Sequence, residues 1–122
     1  MNWDNYPNFS EREFNCKHTG NNEMNPGFIA RLQALRTEYG KPIVITSGYR
    51  DPSHPVEAKK RKPGAHAKGR AVDIACYGAE AFKLVQLAQK HGFTGIGVAR
   101  NFIHLDDCVP GGGFTRPFIW VY

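Results

Sequence analysis

Two histidines and one aspartate, His66, Asp73 and His104, are the residues of this chain best suited to holding a metal ion. A catalytic zinc takes three protein ligands from His, Asp, Glu or Cys and keeps a fourth position open for water. Each of the three residues lies in or beside a predicted strand, so that one sheet can bring them together. The set therefore predicts a site for one zinc ion.

Two of these residues, Asp73 and His104, also have a structural explanation when they are taken alone. Asp73 lies in the apolar context Ala71–Ala75, where an ionised carboxylate is costly without a strong partner. That partner can be a metal, but it can equally be an arginine or backbone N–H groups. His104 can be a core histidine whose ring is satisfied by a carbonyl. The spacing of His66 and Asp73 is a weak pattern by itself, so the surrounding sequence must decide.

The order of helices and strands predicted from the sequence indicates an α+β fold, with helices packed on an antiparallel sheet. Asn25 followed by Pro26 marks a helix start, and Gly40 marks its end. Alternation and β-branched runs predict the strands, and Gly92 ends a second helix whose inward residues we expect to be Phe82, Val85 and Ala88. The predicted ranges are helices at 26–39 and 79–91 and strands at 42–47, 70–76, 95–99, 102–106 and 116–122.

Composition and length predict one globular domain over residues 1–122. Hydrophobic residues make up 41% of the chain and charged residues 22%, which is ordinary for a folded protein. The N-terminal residues lack the basic and apolar regions of a signal peptide, and no segment is apolar over a membrane-spanning length. The three cysteines are an odd number without CxxC spacing. We therefore expect synthesis in the cytoplasm, reduced thiols and no membrane insertion.

Several blocks of sequence surround the candidate ligands in a fixed order, and together they closely resemble the M15 peptidases. That family comprises zinc D-Ala-D-Ala carboxypeptidases and phage L-alanoyl-D-glutamate endolysins, and the present chain is most similar to subgroup A of the family. The resemblance runs from about Phe9 to Tyr122. The blocks are Ser47-Gly48-Tyr49-Arg50, Gly64-Ala65-His66 with Arg70-Ala71 and Asp73-Ile74, Gly95-Ile96-Gly97, Phe102-Ile103-His104-Leu105-Asp106, and Arg116-Pro117 with Trp120 and Tyr122.

The resemblance implies a small fold of the hedgehog and DD-peptidase type and a role for each motif residue. It makes His66, Asp73 and His104 the zinc ligands, and it makes Arg50 the cation that binds or polarises the substrate near the scissile bond. Zinc lowers the pKa of a bound water to about 7. An arginine beside it stays charged and presents a planar fork of donors to a developing oxyanion.

The general base departs from the family pattern. Many members carry Glu or Asp three residues before the last histidine ligand, where this chain has Asn101, which cannot accept a proton. Asp106 shares a strand face with His104 by the two-residue period, so we expect it to act as base or as a partner of that ligand. Asp107 faces the other way, and Glu57 in the long loop is a further candidate.

The expected function is hydrolysis of peptide bonds in peptidoglycan stem peptides, as a DD-carboxypeptidase or an endolysin-type endopeptidase. Asn101 leaves a second possibility open, a catalytically impaired zinc-containing module that binds the wall. The net charge of +5 and the basic run 59–62 suit a polyanionic partner, but no aromatic residues interleave that run as a nucleic-acid surface requires. We expect a monomer that binds no nucleic acid and acts in the periplasm or cell wall after release through a phage or prophage holin.

Overall fold

The computed structural model describes residues 1–60 and 64–122 and confirms the α+β class. Arg61 and Lys62, half of the predicted basic run, lie outside the described residues. In the described ranges, no helix combines the length and the apolar character needed to cross a membrane. The elements are α1 (Pro26–Tyr39), β1 (Val44–Ser47), α2 (Pro55–Ala58), β2 (Ala71–Ala75), α3 (Gly78–Lys90), β3 (Gly95–Val98), β4 (Phe102–Asp106) and β5 (Phe118–Val121), with 3-10 turns at Trp3–Asn5, Glu11–Phe14 and His66–Lys68.

The strands form one five-stranded sheet in the order β1-β2-β4-β3-β5. The first four strands pair antiparallel, as predicted, whereas β5 pairs parallel with β3. Both edges of β4 are occupied by β2 and β3, so the chain that leaves β4 cannot pair with it again, and it joins the sheet at the outer edge of β3. It reverses direction on the way, and this reversal makes β5 parallel to β3. The sheet is therefore mixed.

One face of the sheet is apolar and forms the core with α1 and α3. Alternate residues of the central strands, including Val72, Ile74, Ile103 and Leu105, are fully buried on this face. The residues between them point to the opposite face, because successive side chains of a strand alternate. Asp73 and His104 are among these, so the alternation that builds the core also presents the candidate ligands on the other side of the sheet.

The helix predictions hold at the ends of α1 and fail in part for the packing of α3. The Asn25 side chain accepts a hydrogen bond from the Phe28 N–H at 3.0 Å, and Gly40 ends α1 in the left-handed conformation. In α3 the buried residues are Leu84, Leu87 and Ala88. The prediction that Phe82 points inward was wrong, because its side chain is 78% exposed. It lies two residues before Leu84, which turns it about 200° around the helix axis.

Candidate metal centre

One transverse row of the sheet positions two of the three predicted ligands. Asp73 of β2 pairs with His104 of β4, which pairs with Gly97 of β3, and Gly97 pairs with Trp120 of β5. Directly opposite residues share a face, so the Asp73 and His104 side chains lie side by side. His66 comes from the 3-10 turn that precedes β2. The pairing register thus explains why residues far apart in sequence meet.

The three side chains offer one ligand atom each in a nearly equilateral triangle. His66 Nε2 lies 3.3 Å from Asp73 Oδ1 and 3.3 Å from His104 Nδ1, and His104 Nδ1 lies 3.4 Å from Asp73 Oδ1. A tetrahedral zinc site with bonds of about 2.0–2.1 Å has ligand atoms about 3.3–3.4 Å apart. Asp73 Oδ1 is buried and has no hydrogen-bond partner among the described residues. This spacing and this unpartnered oxygen fit a metal ion bound on the triangle.

In each of the three side chains, the polar atom that does not face the triangle forms a hydrogen bond. His66 donates its Nδ1–H to the Gly48 carbonyl at 2.8 Å, and His104 donates its Nε2–H to Asp106 Oδ2 at 2.6 Å. The second oxygen of Asp73 accepts from Arg50 Nη2 at 3.5 Å. Outer partners of this kind fix the tautomer and the orientation of metal ligands. Both imidazoles therefore present a lone pair to the centre of the triangle.

The protonation states of the triangle also suit a cation. Burial lowers the pKa of His66, which keeps its ring neutral. Burial alone would raise the pKa of Asp73, but the adjacent His104 and His66 rings hold that pKa well below its ordinary value. Burial would lower the pKa of His104, but Asp106 and Asp73 outweigh it and raise that pKa. A metal ion would thus meet an ionised Asp73 and would compete with protons for His104.

Asp106 lies beneath His104, and its position does not support the role of general base that we considered for it. Its side chain is fully buried, and Arg116 binds it with Nε at 2.9 Å from Oδ1 and Nη2 at 2.7 Å from Oδ2. Burial alone would raise the pKa of Asp106, but His104 and Arg116 hold it well below its ordinary value. A carboxylate whose oxygens are both engaged in this way orients its neighbour and has no contact with the cleft.

Two glycines of β3 explain why the Gly95-Ile96-Gly97 block accompanies this site. A Cβ on Gly95 would lie 2.3 Å from both carboxylate oxygens of Asp106, so only glycine leaves room for the Asp106 and Arg116 pair. A Cβ on Gly97 would lie 2.6 Å from Trp120 Nε1. Because Gly97 has no side chain, Trp120 reaches across β3 and lies over His104 with 5.0 Å between ring centroids.

The cleft above the triangle has a volume of about 380 Å³, and aromatic side chains form part of its wall. Trp120 and Tyr122 of the last segment line it together with Phe102 and Phe114. Asp73 is the one carboxylate among the described residues that line the cleft. Asn101 lies in the turn between β3 and β4 and does not line the cleft. The described cleft therefore offers no free carboxylate as a proton acceptor.

Arg50 lines the cleft between two carboxylates. Its Nη2 lies 3.5 Å from Asp73 Oδ2 and its Nη1 lies 3.8 Å from Glu57 Oε2, and its side chain is 22% exposed. Glu57, the further candidate for the base in the long loop, is buried in α2 and accepts hydrogen bonds from Lys60 at 2.8 Å and the Gly64 N–H at 2.9 Å. It anchors the segment that leads to His66 and keeps the Arg50 guanidinium in place.

Arg116 contributes to this centre, although the sequence had suggested no role for it. It appeared only as part of the closing motif, whereas the structure pairs it with Asp106 and places its guanidinium 5.2 Å from the ring centroids of both Phe114 and Trp120. An arginine shortly before two aromatic residues was the available signal. The histidines to which no role was given, His18, His54 and His91, do not line the cleft.

Comparison with known proteins identifies a family for most of the chain. Residues 7–106 match the family described as Peptidase M15. The matched range contains all three atoms of the triangle and Arg50, whereas Arg116 and Trp120 follow it. No curated protein matches the chain.

Proposed function

Because the chain belongs to the Peptidase M15 family, we propose that it is a zinc-dependent peptidase that hydrolyses peptide bonds in the stem peptides of bacterial peptidoglycan. The observation that carries this proposal is the triangle of His66 Nε2, Asp73 Oδ1 and His104 Nδ1, with sides of 3.3–3.4 Å. These three atoms would hold one Zn²⁺. When bound, zinc would polarise the scissile carbonyl and activate a water molecule for attack.

Arg50 is the residue that we assign to the substrate. Its guanidinium reaches the cleft while Asp73 and Glu57 hold it from behind at 3.5 and 3.8 Å. A guanidinium fixed in this way keeps its charge and needs no reorganisation when negative charge develops on the carbonyl oxygen of the scissile bond. Arg50 would therefore bind the substrate and stabilise the transition state.

Asp106 and Arg116 are positioning residues in this proposal. The 2.6 Å contact of Asp106 with His104 Nε2 keeps Nδ1 directed at the triangle, and the two hydrogen bonds from Arg116 keep Asp106 ionised and fixed. Asp106 does not line the cleft, whereas the Arg116 side chain lines it beside Trp120, whose ring centroid lies 5.0 Å from that of His104.

A second candidate function is a zinc-containing module that binds the wall and has lost its activity. The observation that favours it is the absence of a free carboxylate among the described residues of the cleft, with Asn101 at the usual position of the base. Zinc chemistry without a protein base would leave proton transfer to solvent and reduce the rate, since a positioned base typically contributes about 10²–10⁴-fold.

The setting that we propose follows from charge and composition. A net charge of +5 suits the anionic wall, and we propose that the protein acts as a monomer in the periplasm or cell wall. Release through a phage or prophage holin is the route that we propose for it. The bond cut is either that of a terminal D-Ala or an internal one such as L-Ala-D-Glu.

The test is release of products from purified peptidoglycan by the zinc-loaded protein, with and without EDTA. His66→Ala serves as the ligand variant, and Lys83→Gln, which changes an exposed residue of α3, serves as the control. Mass spectrometry separates free D-Ala from new internal amino termini. Activity that EDTA and His66→Ala abolish supports the peptidase. A fully zinc-loaded wild type that binds the wall and releases nothing supports the module instead.

A further inference from the structure

A second cavity lies beside the metal cleft and shares a wall with it. It has a volume of about 450 Å³, which is enough for one or two residues of a peptide. Phe114 lines both this cavity and the cleft. Two backbone hydrogen bonds between Gly111 and Phe114, each 3.0 Å, hold the loop that carries this ring. A ligand can therefore enter both spaces on either side of a fixed aromatic wall.

The charged groups of this cavity leave one cation available. Arg70 binds both oxygens of Asp107, with distances of 3.0 and 3.3 Å. Asp107 also lies 3.5 Å from Arg31, so two guanidiniums share one carboxylate. Lys68 forms no ion pair within residues 1–60 and 64–122, and its Nζ lies 5.7 Å from the Phe114 ring centroid. The cavity thus carries a net positive charge, and Lys68 is the group that can form an ion pair with an anionic ligand.

The position of Lys68 connects the cavity to the metal centre. Lys68 ends the 3-10 turn that begins with His66, so the two side chains leave the backbone two residues apart. The rest of the cavity wall is apolar and includes Val109, Pro110 and Phe114. A suitable ligand has an apolar part, a carboxylate, and a backbone that continues past Phe114 to the triangle.

We propose that this cavity is a subsite for a carboxylate-bearing residue of the stem peptide, adjacent to the residues that flank the scissile bond. Lys68 pairs with the carboxylate, and Phe114 and Val109 contact the aliphatic part of the same residue. This inference rests on the proposed function, because it takes the substrate to be a stem peptide. It adds selectivity for acidic over amidated peptides, which the metal centre by itself does not provide.

The experiment compares two synthetic peptides that differ in one group. Both are reduced-amide analogues of an L-Ala-D-Glu stem peptide, so they cannot be cleaved, and one carries the free carboxylate of D-Glu while the other carries its amide. The zinc-loaded wild type, Lys68→Gln and the exposed control Lys83→Gln are titrated with each peptide by calorimetry. We expect Lys68→Gln to weaken binding of the carboxylate peptide roughly two- to fivefold, as for an exposed ion pair.

Each outcome decides the proposal. A loss of affinity confined to Lys68→Gln and to the carboxylate peptide supports the subsite. Equal effects on both peptides, or equal effects in Lys83→Gln, overturn it. Loss of binding to isolated teichoic acid in Lys68→Gln, with peptide affinity unchanged, also overturns it and makes the cavity a site for the wall polymer. Since no turnover is needed, binding without any product release from peptidoglycan would contradict the proposed peptidase and leave the subsite supported.

Discussion

Substituting asparagine for Asp106 tests whether the carboxylate beneath His104 sets the metal affinity of the centre. Asp106 accepts hydrogen bonds from His104 and from two nitrogens of Arg116, and the Cys108 N–H donates to it at 3.2 Å. Asparagine keeps one acceptor oxygen for these four donors. In whichever orientation it adopts, its NH₂ group faces a donor, and the anion that orients His104 is lost.

The expected loss can be estimated from the contact between His104 Nε2 and Asp106 Oδ2, which is 2.6 Å long. A hydrogen bond to a charged group contributes about 1.5–3 kcal/mol. Loss of an outer partner of a metal ligand lowers metal affinity about 10–100-fold, which corresponds to about 1.4–2.7 kcal/mol. The two ranges agree, so we expect the dissociation constant for zinc to rise about 10–100-fold in Asp106→Asn.

The matched control is Asp107→Asn, the same substitution at the next residue. Asp107 is also a buried carboxylate paired with arginine, but its partners are Arg70 and Arg31 and it does not contact His104. Both substitutions disturb a buried ion pair and lower the free energy of unfolding, at most by about 3–5 kcal/mol. Zinc affinity is measured by competition with a chelator, at a temperature at which circular dichroism shows both variants folded. If the two variants bind zinc equally well, the orienting role of Asp106 is refuted.

Three further predictions concern the surroundings of the centre. Gly95→Ala will lower the free energy of unfolding by about 1–3 kcal/mol, because its Cβ would lie 2.3 Å from the Asp106 oxygens; urea denaturation that matches wild type would contradict this. Zinc binding will release protons and will weaken as pH falls. Burial lowers the pKa of His104, but Asp106 and Asp73 outweigh burial, so the net pKa is raised. Protons therefore compete with the metal for His104. Calorimetry in two buffers of different ionisation enthalpy measures that release, and identical heats would exclude it. Cys108 will resist iodoacetamide at pH 8 until the protein unfolds, because burial raises the pKa of its thiol to about 12; peptide mass spectrometry of the native protein detects any exception.

The sequence predicted what depends on local rules. The start of α1 at Asn25 and Pro26 followed from capping chemistry, and the range of β4 followed from its alternation. The same alternation placed Asp106 on the face of His104. Expectations of this kind succeed because a cap or a strand period is decided by neighbouring residues.

Other features depended on contacts between distant parts of the chain. The parallel pairing of β5 follows from its position at the outer edge of β3, and the packing of α3 on Leu84 left Phe82 exposed. The spacing of Asp106 could not show whether it acts as a base. Its environment depends on Arg116, which lies ten residues later and occupies the space that Gly95 leaves free. No local pattern contains that arrangement, because it exists only when β3, β4 and the segment that precedes β5 are assembled.

β5 lies at the edge of the sheet, so the strand that carries Trp120 is held less firmly than the strands that carry Asp73 and His104. The strands that carry Asp73 and His104 each have a neighbour on both sides, whereas β5, which carries Trp120, has one neighbouring strand, β3, within residues 1–60 and 64–122. Local unfolding begins where few neighbours hold a segment, so the amide protons of β5 will exchange with solvent faster than those of β2 and β4. Such an opening would uncover the His104 ring and leave the three metal-binding side chains in register. The aromatic cover can thus open without disturbing the positions of the three candidate metal ligands.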